Sequence, residues 1–200
     1  MVSAAVMTLP TQAVSGETLP APSTTPSADA RLIADCLQGN MQAFDEIVRT
    51  HTPRVFNYVL HMTRHRQDAE DIAQQTFIKA YTHLASFDPQ RSFIAWLLTI
   101  ARRTALNHFR STKHFESVAE ETVDAELTPA HKLEKRDQLD TLWDQARRVL
   151  PEREFEVLWL RYAEDMSLED TARIAGLNQT HTKIIAFRAR QRLIKIQQQL

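Results

Sequence analysis

The chain has only three glycines in 200 residues, Gly16, Gly39 and Gly176, where glycine ordinarily makes up roughly 7%. Three isolated glycines exclude a G-x-G-x-x-G dinucleotide fingerprint, a phosphate-cradling P-loop and a glycine-flanked serine elbow. Cysteine is almost absent. Cys36 stands alone, which excludes an intrachain disulfide and a cysteine zinc cluster and favours a reducing compartment. Long hydrophobic runs are missing too. The longest, Phe93 to Ala101, is interrupted by Thr99 and falls far short of the ~20 residues that cross a bilayer. The first basic residue is Arg31, so the N-terminus lacks the charged start of a secretory signal. These absences together lead us to expect a cytoplasmic protein without membrane contact.

Good helix formers fill the space that glycine leaves: Ala, Leu, Gln, Arg and Glu dominate, and an all-α fold follows. Apolar residues are 43% and charged residues 24%, a balance that supports a buried core in one or two domains. The net charge is only −1, but it is unevenly spread. Pro89 to Phe115 holds five Lys/Arg and no acid, Glu116 to Glu134 holds six acids against one lysine, and Thr171 to the end holds six bases and no acid. Two basic blocks around an acidic one predict two polyanion-facing surfaces joined by a connector.

Periodicity divides the chain further. Residues 1–30 carry four of the eight prolines and no aromatic residue, so they read as a disordered tail. Residues 31–113 read as a first helical domain. Leu32, Ile33, Cys36 and Leu37 recur at helical spacing until Gly39-Asn40. Phe44, Ile47 and Val48 open a second helix, which Val55, Tyr58, Val59 and Met62 continue beyond Pro53. Asp68 with Asp71 predicts a cap for a third, whose apolar set is Ile72, Phe77, Ile78, Tyr81 and Leu84. Ser92 predicts the cap of a fourth, with Phe93, Trp96, Leu97, Ile100 and Leu106 on one side and Arg103, Asn107 and Arg110 on another.

Residues 114–134 lack periodicity and contain Thr128-Pro129, the expected acidic linker. Residues 135–200 are helical again. Leu139, Leu142 and Trp143 share one helix; Pro151 sits at a favourable first position of the next, which carries Phe155, Leu158, Trp159 and Tyr162. Ser167-x-x-Asp170 forms a capping box for a short helix ended by Gly176, and Asn178 opens a longer basic one. A short helix, a glycine turn and a longer basic helix make a helix-turn-helix pattern.

The run Asp68-Ala-Glu-Asp-Ile-Ala-Gln-Gln-Thr-Phe-Ile-Lys-Ala-Tyr81, followed by Phe87-Asp-Pro89, Phe93-x-x-Trp-Leu97 and Ile100-Ala-Arg102, resembles the polymerase-binding domain of bacterial sigma factors of the extracytoplasmic-function type. Leu150-Pro-Glu-Arg-Glu154, Leu-Arg-Tyr162 and Ser167-Leu-Glu-Asp170 resemble that family's second domain. The resemblance implies partners and roles. The first domain would dock on the clamp helices of the largest subunit of the RNA polymerase core and capture the melted −10 element. The second would read the −35 element of promoter DNA, and an anti-sigma factor is a further candidate partner.

Residue by residue, Asp71, Gln74 and Gln75 match the clamp-contacting positions, with Gln75 where the family usually has Glu. Arg102, Arg103, Asn107, His108, Arg110 and Lys113 fall where the family handles the −10 strand; Arg103 and Asn107 replace a usual Asn and Asp, making this surface more positive. Thr180, His181, Lys183, Arg188 and Arg190 match the recognition helix, but Ile184-Ile185 replaces its usual Ser-Arg pair. An isoleucine makes no bidentate contact to guanine, so −35 reading is expected to be weakened, with most selectivity in residues 89–113. Ile185 also has the spacing to join Thr182, Ala189, Leu193 and Ile196 on a buried face.

Each charged set also fits a merely solvated helix face, and Phe93 and Trp96 fit core packing better than base stacking. His61-x-x-x-His65 has the spacing of a helical metal pair but no third ligand, and reads as surface. No carboxylate pair or Ser/His/Asp set stands out, so neither catalysis nor a cofactor is expected. Two other functions stay open at this point: an autonomous helix-turn-helix regulator, which has no use for residues 68–113 as a docking element, and a sigma-derived interaction protein with weakened −35 reading.

Overall fold

The computed structural model describes residues 28–116 and 143–197. Among them lie α1 (Ala28–Leu37), α2 (Met41–Thr63), α3 (Arg66–His83), a 3-10 turn (Leu84–Ser86), α4 (Phe93–Glu116), a helical run over 143–149 that we call α5, α6 (Glu152–Tyr162), α7 (Leu168–Ala175) and α8 (Gln179–Gln197). The described residues contain no strand, and no helix is long and apolar enough to cross a membrane. The expected tail, apart from 28–30, lies outside the described residues, as does the expected linker beyond 116. Its first three residues, 114–116, still belong to α4.

Helices α2, α3 and α4 pack on one another, with α1 laid on α2. Ile47, Val55, Val59, Ile72, Leu97 and Leu98 are fully buried between them, and each such side chain removed from water contributes about 1.5–3 kcal/mol. Phe93 is buried and Trp96 half-buried in an aromatic cluster with Phe87, at centroid distances of 5.1 and 5.3 Å to Phe87, so both pack into the core. Local chemistry starts most of these helices. The Asn40 side chain accepts from the Gln42 N–H at 3.1 Å, Ser92 Oγ from Ala95 at 3.3 Å, and Ser167 Oγ from Asp170 at 3.0 Å.

Two starts differ from the sequence expectation. The cap of α3 is His65, whose Nδ1 accepts from the Asp68 N–H at 3.3 Å, so Asp68 lies inside the first turn. Pro151 is the residue before α6, in extended conformation, because its ring fixes φ at −54° while ψ of 145° turns the chain into the helix. Four residues assigned to apolar faces, Leu37, Ile78, Tyr81 and Tyr162, are exposed. Their spacing puts them at the edge of the stripe, beyond what a neighbouring helix covers.

Leu150, Phe155, Leu158, Ala146 and Ala189 form a small core within the second group of helices, with Trp143 packed on it. The two groups are not merely tethered. Val157, Leu160, Met166, Ile174, Ala175 and Ile185 join the same buried cluster as α1–α4, and α7 packs directly on α4.

Gly176 ends α7 in the left-handed region, φ +66° and ψ 40°, where its N–H closes on the Ala172 and Arg173 carbonyls. A Cβ there would meet only Arg102 Nη1, at an ordinary 3.7 Å. Gly176→Ala should therefore cost about 1 kcal/mol through the backbone alone, read as a fall of roughly 4–8 °C in the melting temperature of a domain this size. An unchanged melting temperature would show that the turn relaxes out of this conformation.

Candidate nucleic-acid and protein interface

Helix α3 buries Ala69, Ile72, Ala73, Thr76, Phe77 and Ala80. The 3.6-residue period then forces Asp71, Gln74, Gln75 and Ile78 outward along one ridge, and all four are exposed. Beside that ridge runs an apolar groove of about 540 Å³ between α2 and α3, whose lining includes Met41, Phe44, Phe77, Ile78 and Tyr81. Phe44 and Tyr81 meet edge to face at 4.9 Å across it. Sequence reasoning found the polar ridge but assigned Ile78 and Tyr81 to the core, because an apolar residue at the edge of a stripe carries the same letter as one inside it.

Helix α4 splits the residues expected for DNA. Arg103, Asn107 and Arg110, spaced i, i+4, i+7, make one exposed stripe. Lys113 belongs to the same helix. His108 is half-buried, with Nε2 3.5 Å from Asp68 Oδ2 on α3. Arg102 faces the other way, into the second group of helices. Its Nε donates to Glu156 Oε1 at 2.6 Å and its Nη2 to Oε2 at 3.3 Å, with both side chains largely buried. The Tyr58 hydroxyl donates to the same Glu156 Oε1 at 2.8 Å. Burial, then the Glu156 carboxylate, holds the Tyr58 phenol well above its usual range, so it keeps its proton and its donor role.

A second clasp joins the groups nearby. Arg54 Nε donates to Glu164 Oε2 at 2.9 Å and its Nη2 to the Glu164 carbonyl at 2.7 Å. These partners lie 54 to 110 residues apart in the chain, so no local pattern identifies them.

His61 belongs to this interface rather than to the surface. Its ring centroid is 3.5 Å from that of Trp159 on α6, and Arg147 Nη1 lies 3.4 Å from its Nδ1. The surface expectation is therefore corrected for His61, which packs against an indole, while His65 stays exposed and caps α3. No group of side chains able to hold a metal occurs among the described residues. Burial, with the Arg147 guanidinium second, pushes His61 from 6.5 down to about 4.

The unfolded chain therefore binds this proton near pH 6.5 while the folded chain binds it only near pH 4. The stability of the wild type is full above pH 6.5 and falls as the pH drops towards 4, by roughly 3 kcal/mol at most. His61→Phe should flatten the fall between pH 6.5 and 5, above the ordinary carboxylate range. Thermal melts at half-unit pH steps check this; parallel curves for the two proteins would refute it.

The helix-turn-helix is formed by α7, Gly176 and α8. Asn178 Oδ1 accepts from the His181 N–H at 2.7 Å, opening α8 as expected. Thr182, Ile185 and Ala189 are buried on α6 and α7, and Arg192 Nε pairs with Glu154 Oε2 at 3.2 Å. Thr180, His181, Lys183, Arg188 and Arg190 are exposed, as is Ile184, so the two adjacent isoleucines have opposite fates.

Comparison with known proteins matches this arrangement twice. The family model of sigma-70 region 2 covers residues 47–115, and that of sigma-70 region 4 covers residues 148–195. The RNA polymerase sigma-H factor of Pseudomonas aeruginosa is 30% identical over 187 residues, spanning 88% of this chain and 97% of that protein. The ECF RNA polymerase sigma factor SigM of Bacillus subtilis is 29% identical over 154 residues, spanning 74% and 91%. The sigma factor RpoE of Bartonella quintana, solved in complex with the anti-sigma factor NepR, has the same fold with a TM-score of 0.60. The two are 24% identical, over 78% of this chain and 96% of that one.

Proposed function

The chain belongs to the extracytoplasmic-function type of RNA polymerase sigma factors, which are non-enzymatic subunits of transcription initiation, and from that premise we propose how its surfaces divide the work. The α3 ridge of Asp71, Gln74 and Gln75, with the apolar groove beside it, docks on the clamp helices of the polymerase largest subunit. The stripe of Arg103, Asn107 and Arg110, continued by His108 and Lys113, holds the melted −10 strand through its phosphates. Helix α8 enters the major groove of the −35 element, with Lys183, Arg188 and Arg190 on phosphates and Thr180 and His181 at its leading end. These partners put the work in the cytoplasm. An anti-sigma factor is a further partner for these faces; the sigma factor RpoE, which shares the fold, forms a complex with the anti-sigma factor NepR.

The observation that carries this reading is the separation of three exposed faces on α3, α4 and α8, each bearing polar or charged side chains and backed by a buried stripe of its own helix. A solitary duplex-binding regulator needs only the last.

The packing of α7 on α4 adds a requirement. Packed helices lie ~8–10 Å apart, so α8 is a few helix diameters from α4. Two promoter elements about two duplex turns apart are roughly 70 Å distant. Reading both at once needs the two halves to part, and the 26 residues 117–142 that connect the described helices would reach about 86 Å at ~3.3 Å each. The decisive experiment is run-off transcription from genomic promoters by purified core polymerase with and without this chain. Start sites that appear only with the chain support the reading, and their absence refutes it.

A further inference from the structure

Helix α8 presents an unusual surface. Thr182, Ile185 and Ala189 mark its buried line, and the ~100° step of an α-helix puts Thr180, Ile184, Phe187 and Gln191 on the opposite side. Two of these four are large and apolar. Ile184 is 43% exposed and Phe187 62%. Lys183 and Arg190 flank this line on one side, Arg188 and His181 on the other, and all four are exposed. From Thr171 to the end of the chain there is no acid. The face is thus an apolar centre between two cationic edges.

We propose that Ile184 and Phe187 read the C5-methyl groups of thymines in the −35 element. This rests on the assignment of α8 to that element made above. The shape of the ligand follows from the surface. A major groove has phosphates along both walls, matching the two cationic edges, and its floor presents one apolar feature, the thymine methyl. Guanine in the same place would leave its N7 and O6 facing hydrocarbon, which rejects it. The two side chains are three residues apart, about 4.5 Å along the helix, against ~3.4 Å between base steps. They therefore address neighbouring base pairs. The loss of the usual polar pair changes the language of the contact from guanine hydrogen bonds to thymine methyls.

Deoxyuridine tests this directly, since it keeps every hydrogen-bonding group of thymidine and lacks only the methyl. Holoenzyme is assembled from core polymerase and the full chain, on a promoter recovered by the run-off assay. Each −35 thymidine is then replaced in turn. At one or two adjacent positions the wild type should lose roughly fourfold in open-complex formation per methyl, the size expected for one buried CH₂-sized group. The variant carrying Ile184→Ala and Phe187→Ala should be weaker on the thymidine promoter and indifferent to deoxyuridine there. Phe187→Leu, which stays apolar, should keep part of the discrimination. Both positions are exposed, and core binding by the variants checks that they fold.

If scrambling the −35 element impairs transcription but deoxyuridine has no effect, the methyl proposal falls while the sigma-factor reading of α8 stands. If scrambling it has no effect, or no promoter is recovered, the reading of α8 falls and takes the proposal with it. A double variant that discriminates normally overturns the proposal. So does one that discriminates normally and loses only binding to an anti-sigma factor, and in that case the apolar face is a protein contact.

Discussion

Asp71→Arg should abolish co-purification of this chain with RNA polymerase core, with its helix content unchanged. Asp71 is exposed on α3, in line with Gln74, Gln75 and Ile78, and makes no contact that the fold needs. Arginine is a good helix former, so the helix survives the change. In the proposed docking the Asp71 carboxylate accepts from a basic partner helix. Reversing the charge then sets like against like in a contact that excludes water, which costs several kcal/mol, or more than a hundredfold in affinity. Gln75 makes the effect larger, since this chain has no second carboxylate at the matched position to share the contact. Affinity is measured by titrating labelled chain with core, and helicity by circular dichroism. Binding at wild-type strength would move the docking face off α3.

Glu156→Lys should drive the two halves of the free chain apart. Glu156 accepts from Arg102 and from Tyr58 at once, and its side chain is 12% exposed against 17% for that of Arg102. A lysine there removes both bonds and leaves two cations facing each other. Breaking a buried pair in this way costs about 3–5 kcal/mol, enough to shift an open–closed equilibrium by more than a hundredfold. The Arg54–Glu164 clasp remains, so Glu156→Lys combined with Glu164→Gln should open the chain further. Small-angle X-ray scattering should record a larger radius of gyration for each variant, with the melting of each half preserved. Glu156→Gln, which can still accept from Tyr58, should open it less. An unchanged radius would mean that the shared apolar core, and not the polar clasp, holds the halves together. Because the closed form cannot span two distant promoter elements, the opened variants should also bind a fragment carrying both elements more tightly than the wild type.

The residues alone were sufficient for the helices and for the family, since both depend on short-range chemistry. Ser167-x-x-Asp170 closes its box, Gly176 takes its positive φ and Asn178 caps α8 whatever surrounds them. Apolar residues three and four apart find a common face for the same reason. The ridge of Asp71, Gln74 and Gln75 was legible in this way, as was the stripe of Arg103, Asn107 and Arg110. Other features depended on which neighbour arrives from far along the chain. Arg102 and Arg103 are equal in sequence, yet Glu156 makes the first an interdomain ion pair and leaves the second exposed. Ile185 was legible by contrast, since its spacing sets it with Thr182 and Ala189, and the packing of α8 on α6 and α7 buries that line while Ile184 stays exposed. His61 has the letter and spacing of a surface histidine until Trp159 covers it. Helix period and capping act within four residues, so the sequence determined them. Burial, charge pairing and the identity of the free face are set by contacts 54 to 110 residues apart, and those only the tertiary structure could decide.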